Sequence, residues 1–313
     1  MAELIRLSGD ADFEEIAAFQ RRAFGYEWLK SERRRLQCAE YYRWKYFPPR
    51  GPAWLALVRS RQQMVAMVAA VPFHLAMGQG AAWQICDIAT DPQFRHRGFF
   101  AGCLAALSTA VAGDMMFCFP NKQSRAGLVR AGYGARSMLR VCARPLLPLA
   151  TRKSDVAGFG TADLAECDAA FTIDPRRHRY IRRSPEFLRW RYAAHPLNRY
   201  VALRKPGDGG TDSCVVVRRM FNGRVGMVVE NWSSSEEGAR AAQDAGYRWA
   251  KSSGCLAFLW ARDPRVPSPG NTRADLNWQL PWKIVCYTNR NPESSSPGTA
   301  DDLHVQLGDW DAI

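Results

Sequence analysis

The chain has 313 residues, 47% of them hydrophobic and 12% aromatic, so it is long enough to bury two cores and too apolar for wholesale disorder. Its nine cysteines form no C-x-x-C pair and its five histidines show no metal-ligand spacing, which argues against a disulfide scaffold or a metal site and favours a reduced, cytoplasmic protein. The charged first residues and the lack of an apolar run of about 18 residues argue against a signal peptide and a transmembrane segment.

The formal net charge of +13 needs its own interpretation. Most such excess arginine lies on a solvated surface. The same charge also fits an anionic small ligand, RNA, or an anionic membrane surface with which the protein would associate peripherally. Charge alone does not choose among these partners.

Three apolar runs in the first half predict strands. Trp54–Val58 and Met64–Phe73 form a hairpin around the turn Ser60–Gln63, and Trp83–Thr90 follows. The third run leads through a turn into the helix-like segment Cys103–Val111.

The turn between this third strand and the helix, Asp91–Gly102, is the most informative segment of the chain. The N–H groups of a first helical turn and the positive end of the helix dipole would point at a ligand lying in it. Gly98 can adopt a positive φ and admit a phosphate, while Arg95 and Arg97 supply charge-assisted hydrogen bonds. The alternative is a solvated basic turn that caps a core helix.

A second block follows at Phe117–Tyr133. Its pattern predicts an apolar strand, a Pro-Asn turn at Asn121, a short helix, and a stop at Gly132 before an aromatic residue.

Together the two blocks resemble motifs of the GNAT acyltransferase superfamily. Arg95 and Gly98 occupy the first two positions of its pyrophosphate loop, Q/R-x-x-G-x-G/A, and Phe100 stands at the third, where Gly or Ala is usual. In the second block Leu128 stands where the family often has a tyrosine that serves as general acid. The positions that match the second motif are Asn121, Ser124, Gly132 and Tyr133.

This resemblance implies that acetyl-CoA or another acyl-CoA is the co-substrate and that no metal is needed. It also implies that a backbone N–H on the strand before the turn polarises the thioester carbonyl. The residues expected to contact the acyl-CoA are Ile88, Ala89, Arg95, His96, Arg97, Gly98, Phe99, Phe100, Ala101, Asn121 and Ser124.

An internal repeat is visible in the sequence. Glu40–Tyr46 recurs as Glu186–Tyr192 at an offset of 146 positions, and the same offset carries Trp54–Leu57 onto Tyr200–Leu203. This predicts two copies of one unit. Because one active site would not need them twice, the repeated aromatic residues are expected to fill equivalent core or interface positions; they are Trp44, Tyr46, Trp190 and Tyr192.

The second copy continues with the same predicted elements, but its strand-to-helix junction, Asn231–Glu236, has no basic glycine turn. A pyrophosphate there would meet Glu236 and Glu237, so we expect only the first copy to bind acyl-CoA. The predicted elements are strands at Tyr200–Leu203, Ser213–Met220 and Val225–Glu230, a helix at Glu236–Lys251, and strands at Leu256–Ala261, Trp282–Tyr287 and His304–Leu307.

The predicted fold class is therefore α/β (α+β), with two tandem GNAT-like domains, each a mixed, mostly antiparallel sheet flanked by helices. Residues 1–150 would form the domain with the acyl-CoA loop, and residues 151–313 a degenerate domain without it.

Acyl transfer to an amine requires that the amine lose a proton. Asp87 is the only carboxylate in Ile85–Thr90, among apolar sequence neighbours that would favour its neutral form, and it is the first candidate for the base; a structural aspartate is the alternative. His74 is the second candidate and could line the acceptor pocket. Cys86 reads as a buried, inert thiol.

The leading functional hypothesis is an N-acyltransferase that moves an acyl group from acyl-CoA to an amine of a small molecule, such as an amino sugar used in polysaccharide biosynthesis. One alternative is a Fem-type transferase, which would use aminoacyl-tRNA and would not need the pyrophosphate loop. Another is a noncatalytic module that senses acyl-CoA, which Leu128 in place of the acid tyrosine favours.

Overall fold

The computed structural model describes residues 2–24, 38–76, 80–146, 158–164, 179–206, 213–233, 235–262, 278–289 and 303–304. The elements of the first half are β1 Glu3–Arg6, α1 Phe13–Phe24, α2 Ala39–Lys45, β2 Trp54–Ser60, β3 Gln63–His74, β4 Ala81–Thr90, a 3₁₀ turn Pro92–Phe94, α3 Phe99–Ala110, β5 Met115–Cys118, α4 Lys122–Arg130 and β6 Tyr133–Pro145.

The elements of the second half are β7 Gly160–Ala162, β8 Arg179–Tyr180, α5 Pro185–Leu188 with a π-helical turn Arg189–Ala193, β9 Tyr200–Lys205, β10 Ser213–Met220, β11 Val225–Trp232, α6 Glu236–Ser252, β12 Ala257–Arg262, β13 Trp278–Asn289 and β14 Leu303–His304. Of the strand predicted at His304–Leu307, residues 305–307 lie outside the described residues.

The helix that follows the basic turn begins earlier than the sequence predicted. Gly98 is its N-cap with φ +77°, and the helix runs from Phe99. The N–H of Gly102 already donates to the carbonyl of Gly98 at 3.0 Å, so the expected start at Cys103 is wrong. The prediction took Gly102 as a turn residue, but a glycine inside a helix costs only about 1 kcal/mol relative to alanine.

Twelve strands form one continuous sheet in the order β1-β2-β3-β4-β5-β13-β6-β12-β11-β10-β9-β7. Only β4–β5 and β11–β12 pair in parallel within this sheet, so the prediction of mixed, mostly antiparallel sheets is confirmed. Counted from its own edge of the sheet, each half contributes five strands in equivalent order, β1, β2, β3, β4 and β5 in the first half and β7, β9, β10, β11 and β12 in the second. The next strand in each case comes from the other half. β13 lies beside β5, and β6 lies beside β12. The division of the chain at residue 150 stays a prediction.

Helices cover both faces of this sheet. α3 packs its apolar side on β2–β5, and α6 does the same on β9–β12. On the opposite face a single apolar cluster contains residues of α1, α2 and α5 together with strand residues of both halves. The two halves therefore share one core on that face.

Trp44 and Trp190 join the two halves. Their rings stack with centroids 5.2 Å apart and planes 19° apart. The indole N–H of Trp44 donates to the carbonyl of Trp190 at 2.7 Å, and the indole N–H of Trp190 donates to the carbonyl of Trp44 at 2.9 Å. The prediction that these residues fill equivalent interface positions is confirmed.

His195 completes this contact. Its ring lies 4.2 Å from the ring of Trp44, and its Nδ1 accepts hydrogen bonds from the N–H groups of Leu197 and Asn198, both at 3.1 Å. Burial lowers the pKa of His195 to about 3, with further lowering by Arg191 and Arg218. A nitrogen that accepts two backbone hydrogen bonds carries no proton, so the geometry agrees with a neutral ring.

We predict that Trp44→Phe and Trp190→Phe each lower the free energy of unfolding by about 1–3 kcal/mol, because each loses ring volume and a hydrogen bond. The double variant should lose less than the sum by at least about 0.5 kcal/mol, since the two residues form one contact. Urea denaturation measures this. Trp232→Phe is the control for the loss of ring volume alone, because the buried indole N–H of Trp232 has no hydrogen-bond partner among the described residues. Additive losses would contradict the coupling.

We also predict a pH effect of His195. Its pKa is about 3 in the folded protein and about 6.5 when unfolded, so between these values only the unfolded chain binds the proton. The contribution of His195 to stability is complete above pH 6.5 and is lost as pH falls toward 3, by at most about 1.4 kcal/mol per pH unit. Urea midpoints of wild type and His195→Asn should converge on acidification. Parallel curves would refute the assignment.

Candidate functional site

The turn between β4 and α3 presents an open helix start. Asp91 accepts a hydrogen bond from the N–H of Gln93 and begins the 3₁₀ turn, and Gly98 then caps α3 in the left-handed conformation. No side chain caps α3, and its first turn contains no acidic residue. Residues 95–98 are exposed. The first N–H groups of α3 and the positive end of its dipole therefore face outward.

Gly98 leaves room for a ligand at this start. A Cβ added to Gly98 would meet no atom of the described residues within 4 Å, so the space beside this cap residue is open. The predicted turn residues His96 and Arg97 are exposed beside it, and the Arg97 guanidinium lies 5.1 Å from the centre of the Phe94 ring. Arg95 instead reaches back, with contacts of 3.4 and 3.5 Å to the carbonyls of Thr90 and Ala23.

The sheet opens next to this turn. The parallel pairing of β4 with β5 ends at Ile85 opposite Cys118, while β4 continues to Thr90 on its pairing with β3. The backbone of residues 86–90 therefore has an edge that β5 does not cover.

One N–H group of this edge can be assigned a direction. The N–H of Asp91 donates to the carbonyl of Val65 on β3, and the register from Ala89 to Thr90 is regular. Because N–H groups alternate sides along a strand, that of Ala89 also points toward β3. Of the two strand residues predicted to contact acyl-CoA, Ala89 therefore does not offer its N–H to the open edge, which leaves Ile88.

A bulge at Asp87 produces this arrangement. The register between β3 and β4 shifts between Met67 and Ala69, and Asp87 has φ +48°. Aspartate is among the few residues that tolerate this region.

The side chain of Asp87 is held from α2. Its Oδ2 accepts from the Lys45 Nζ at 2.8 Å and from the Tyr46 hydroxyl at 2.8 Å. The apolar surroundings predicted from sequence are therefore wrong, because the end of α2 packs beneath β4 and brings a buried lysine to the carboxylate. Burial raises the pKa of Tyr46, with Asp87 adding to the effect, so Tyr46 remains a hydrogen-bond donor.

Helix α1 holds the backbone around the bulge. Gln20 donates from Nε2 to the carbonyl of Asp87 at 3.1 Å, and Arg22 pairs with the Asp91 carboxylate at 3.2 Å. Contacts of Gln20 and Lys45 with Asp87 were not predicted from the sequence. Gln20 could have been singled out, since it is a polar residue on the buried side of an amphipathic helix.

His74 lies elsewhere. It is exposed at the end of β3 with its Nδ1 2.8 Å from Arg50, and burial, Arg50 and Arg182 lower its pKa. At the rise per residue of a β-strand, His74 lies about 20 Å along β3 from Val68, the residue opposite the bulge. The structure does not bring His74 and Asp87 together.

The second block forms the strand, cap and helix that the sequence predicted. Asn121 caps α4 by accepting from the N–H groups of Gln123 and Ser124, and the Ser124 hydroxyl contacts Asn121. Leu128 is fully buried against β4 and β5. Phe100 lies on Gly127, where an added Cβ would come within 2.4 Å of its ring. Gly127 thus accommodates the large residue at the third loop position.

The corresponding junction in the second half is closed. Ser235 caps α6 by accepting from the N–H of Gly238, and Glu236 and Glu237 follow in the first turn. A Cβ at Gly238 would meet the hydroxyls of Ser233 and Ser213 at 2.1 and 2.4 Å. The start of α6 is thus capped by a side chain and carries two acidic residues, unlike the start of α3.

The carboxylate of the second half is also more enclosed. Glu230 on β11 is 0% exposed, its two oxygens accept from Arg183, and the Tyr192 hydroxyl donates to one of them. Tyr46 and Tyr192, which are related by the repeat, thus each donate to a carboxylate on a fourth strand.

The described residues contain no group of three or more His, Cys, Asp or Glu side chains that could hold a metal ion. No helix among them has the length and apolar character required to cross a bilayer.

No protein-family model matches the sequence, and no curated protein matches it. Solved structures do match. A GCN5-related N-acetyltransferase from Anabaena variabilis ATCC 29413 is 10% identical, with a TM-score of 0.63 over 92% of this chain and 72% of that one. Saccharomyces cerevisiae N-myristoyltransferase with bound myristoyl-CoA is 12% identical, with a TM-score of 0.55 over 97% and 89%.

A tandem GNAT protein from the clavulanic acid biosynthesis pathway is 12% identical, with a TM-score of 0.54 over 92% of this chain and 98% of that one. Sequence identities this low establish the fold alone. The chain has the fold of the GCN5-related N-acetyltransferases, in its tandem form.

Proposed function

We propose that this protein is an N-acyltransferase that binds acyl-CoA in its first half and transfers the acyl group to an amine of a small molecule. The observation that carries the proposal is the open start of α3 at Gly98, next to the uncovered edge of β4. A diphosphate fits the outward N–H groups and the exposed arginine, and an acyl arm fits the gap between β4 and β5. The second half has neither an open helix start nor a basic turn.

In this proposal acyl-CoA supplies a thioester carbonyl, whose carbon gains a bond to the amine nitrogen as the carbon–sulfur bond breaks. The N–H of Ile88 lies where it can donate to the carbonyl oxygen as negative charge develops there. Asp87 accepts the proton that the amine loses. Its Oδ2 is held by Lys45 and Tyr46, whereas Oδ1 has no hydrogen-bond partner among the described residues and is the atom assigned to this proton.

No hydroxyl stands at the family's acid position, because Leu128 is buried in the core. The thiol of CoA can leave as the thiolate, since a thiol with a pKa near 8.5 is an acceptable leaving group at neutral pH. Neither the length of the acyl chain nor the identity of the acceptor amine is assigned. Acetyl-CoA and amino sugars are the first pair to test.

A noncatalytic acyl-CoA-binding module is the second candidate. It is favoured by the repetition of a tyrosine–carboxylate contact at Tyr192 and Glu230, in the half without an open helix start. Turnover of acyl-CoA with a panel of amines separates the two. Binding without turnover favours the module, and a gel-shift assay with charged tRNA tests the Fem-type alternative.

We predict that Gly98→Val weakens acetyl-CoA binding at least about tenfold, because the side chain obstructs the helix start. Isothermal titration calorimetry measures the dissociation constant. Gly254→Val is the matched control, since Gly254 has φ +75° and, like Gly98, no atom within 4 Å of an added Cβ. Equal affinities for Gly98→Val and wild type would place the ligand elsewhere.

We predict that Asp87→Asn lowers kcat/KM by about 10²–10⁴-fold, the usual weight of a general base, while the affinity for acetyl-CoA holds. The assay follows release of the CoA thiol with an accepted amine. Asp114→Asn, which removes a carboxylate bonded to the Trp83 indole, should retain activity. Near-normal turnover of folded Asp87→Asn would assign Asp87 a purely structural role.

A further inference from the structure

We infer that Gln20 is a positioning residue, which fixes the Asp87–Ile88 peptide so that the Ile88 N–H faces the acyl carbonyl. This inference rests on the proposed function and adds a residue to its site.

The first observation is that burial of the polar Gln20 side chain costs free energy. Its side chain is 1% exposed, its Nε2 donates to the Asp87 carbonyl at 3.1 Å, and its Oε1 is buried with no hydrogen-bond partner among the described residues. A buried, unsatisfied acceptor costs about 1–3 kcal/mol, which offsets at least part of what the hydrogen bond to Asp87 contributes to folding. The bond to Asp87 is the one polar contact of this side chain in the described structure.

The second observation is which peptide it holds. The carbonyl of Asp87 and the N–H of Ile88 belong to one planar trans peptide and point in opposite directions. Holding the carbonyl on Gln20 therefore also fixes the Ile88 N–H, which points away from α1.

The third observation is that the bulge needs such support. Asp87 has φ +48°, and the shifted register leaves Asp87 without a paired residue on β3. Lys45 and Tyr46 hold the side chain of Asp87 but not this peptide. Without Gln20 the peptide could rotate and turn the Ile88 N–H away from the edge.

The test uses Gln20→Met, which keeps the volume and removes the donor. Infrared difference spectra of acetyl-CoA labelled with ¹³C at the thioester carbonyl report the hydrogen bond to that carbonyl. In wild type the bound band should lie at lower frequency than the free one, and in Gln20→Met this shift should be mostly lost. Turnover should fall about tenfold or more through kcat, with the dissociation constant of acetyl-CoA changed less than about twofold.

Asn231→Leu is the matched control, because its amide donates to the carbonyl of Ala239 at 2.9 Å in the half without the open turn. It should keep both the band shift and kcat. If Gln20→Met fails to fold, Gln20→Leu replaces it, since leucine also has no donor and should also lose the shift.

The outcomes separate the two proposals. If wild type binds acetyl-CoA and the band shift survives in the Gln20 variant, the positioning role is wrong and the proposed function stands. If wild type binds acetyl-CoA but shows no band shift, the positioning role is also wrong. If wild type does not bind acetyl-CoA, the proposed function fails, and this inference fails with it.

Discussion

The reciprocal contact of Trp44 and Trp190 ties the two halves of the chain together. Each indole donates to the other's backbone carbonyl, so each ring is held by one hydrogen bond and by the stacking of the two rings. The contact lies in the cluster shared by both halves and fixes the ends of α2 and of the π-helical turn after α5. Lys45 and Tyr46 follow Trp44 directly in sequence, and both reach Asp87. The contact that joins the halves thus also positions the support of the candidate site.

The two halves apply one scaffold differently. Both have a pair of parallel strands connected by a helix, and both place the repeated tyrosine on a carboxylate. They differ at the helix start, where Gly98 leaves one open and Ser235, Glu236 and Glu237 fill the other. Because the dipole of a helix attracts anions only where its N–H groups are accessible, these few residues give the two helix starts different access for an anion.

The sequence predicted the strands, the basic turn and the repeat because these depend on local patterns, namely alternation, glycine positions and a fixed offset. It did not predict the exchange of β6 and β13, since pairing between distant strands leaves no local signal. It also misjudged Asp87, whose sequence neighbours Cys86 and Ile88 are apolar although its spatial neighbours are a lysine and a tyrosine. Contacts made by another element cannot be inferred from the strand itself, which is also why the role of Gln20 was missed.

The tyrosine–carboxylate contact occurs in both halves, so by itself it does not decide between a chemical and a structural role of Asp87. The hydrogen bonds of the individual carboxylate oxygens distinguish the two interpretations. A purely structural carboxylate should have all its oxygens bonded and no access to solvent, as in Glu230, which is fully buried and uses both oxygens on Arg183 and Tyr192. In Asp87 both bonds fall on Oδ2, Oδ1 has no partner in the described part of the chain, and the side chain is 13% exposed. The same tyrosine contact therefore leaves a carboxylate oxygen available in the half with the open helix start, as the proposed proton transfer from an amine requires.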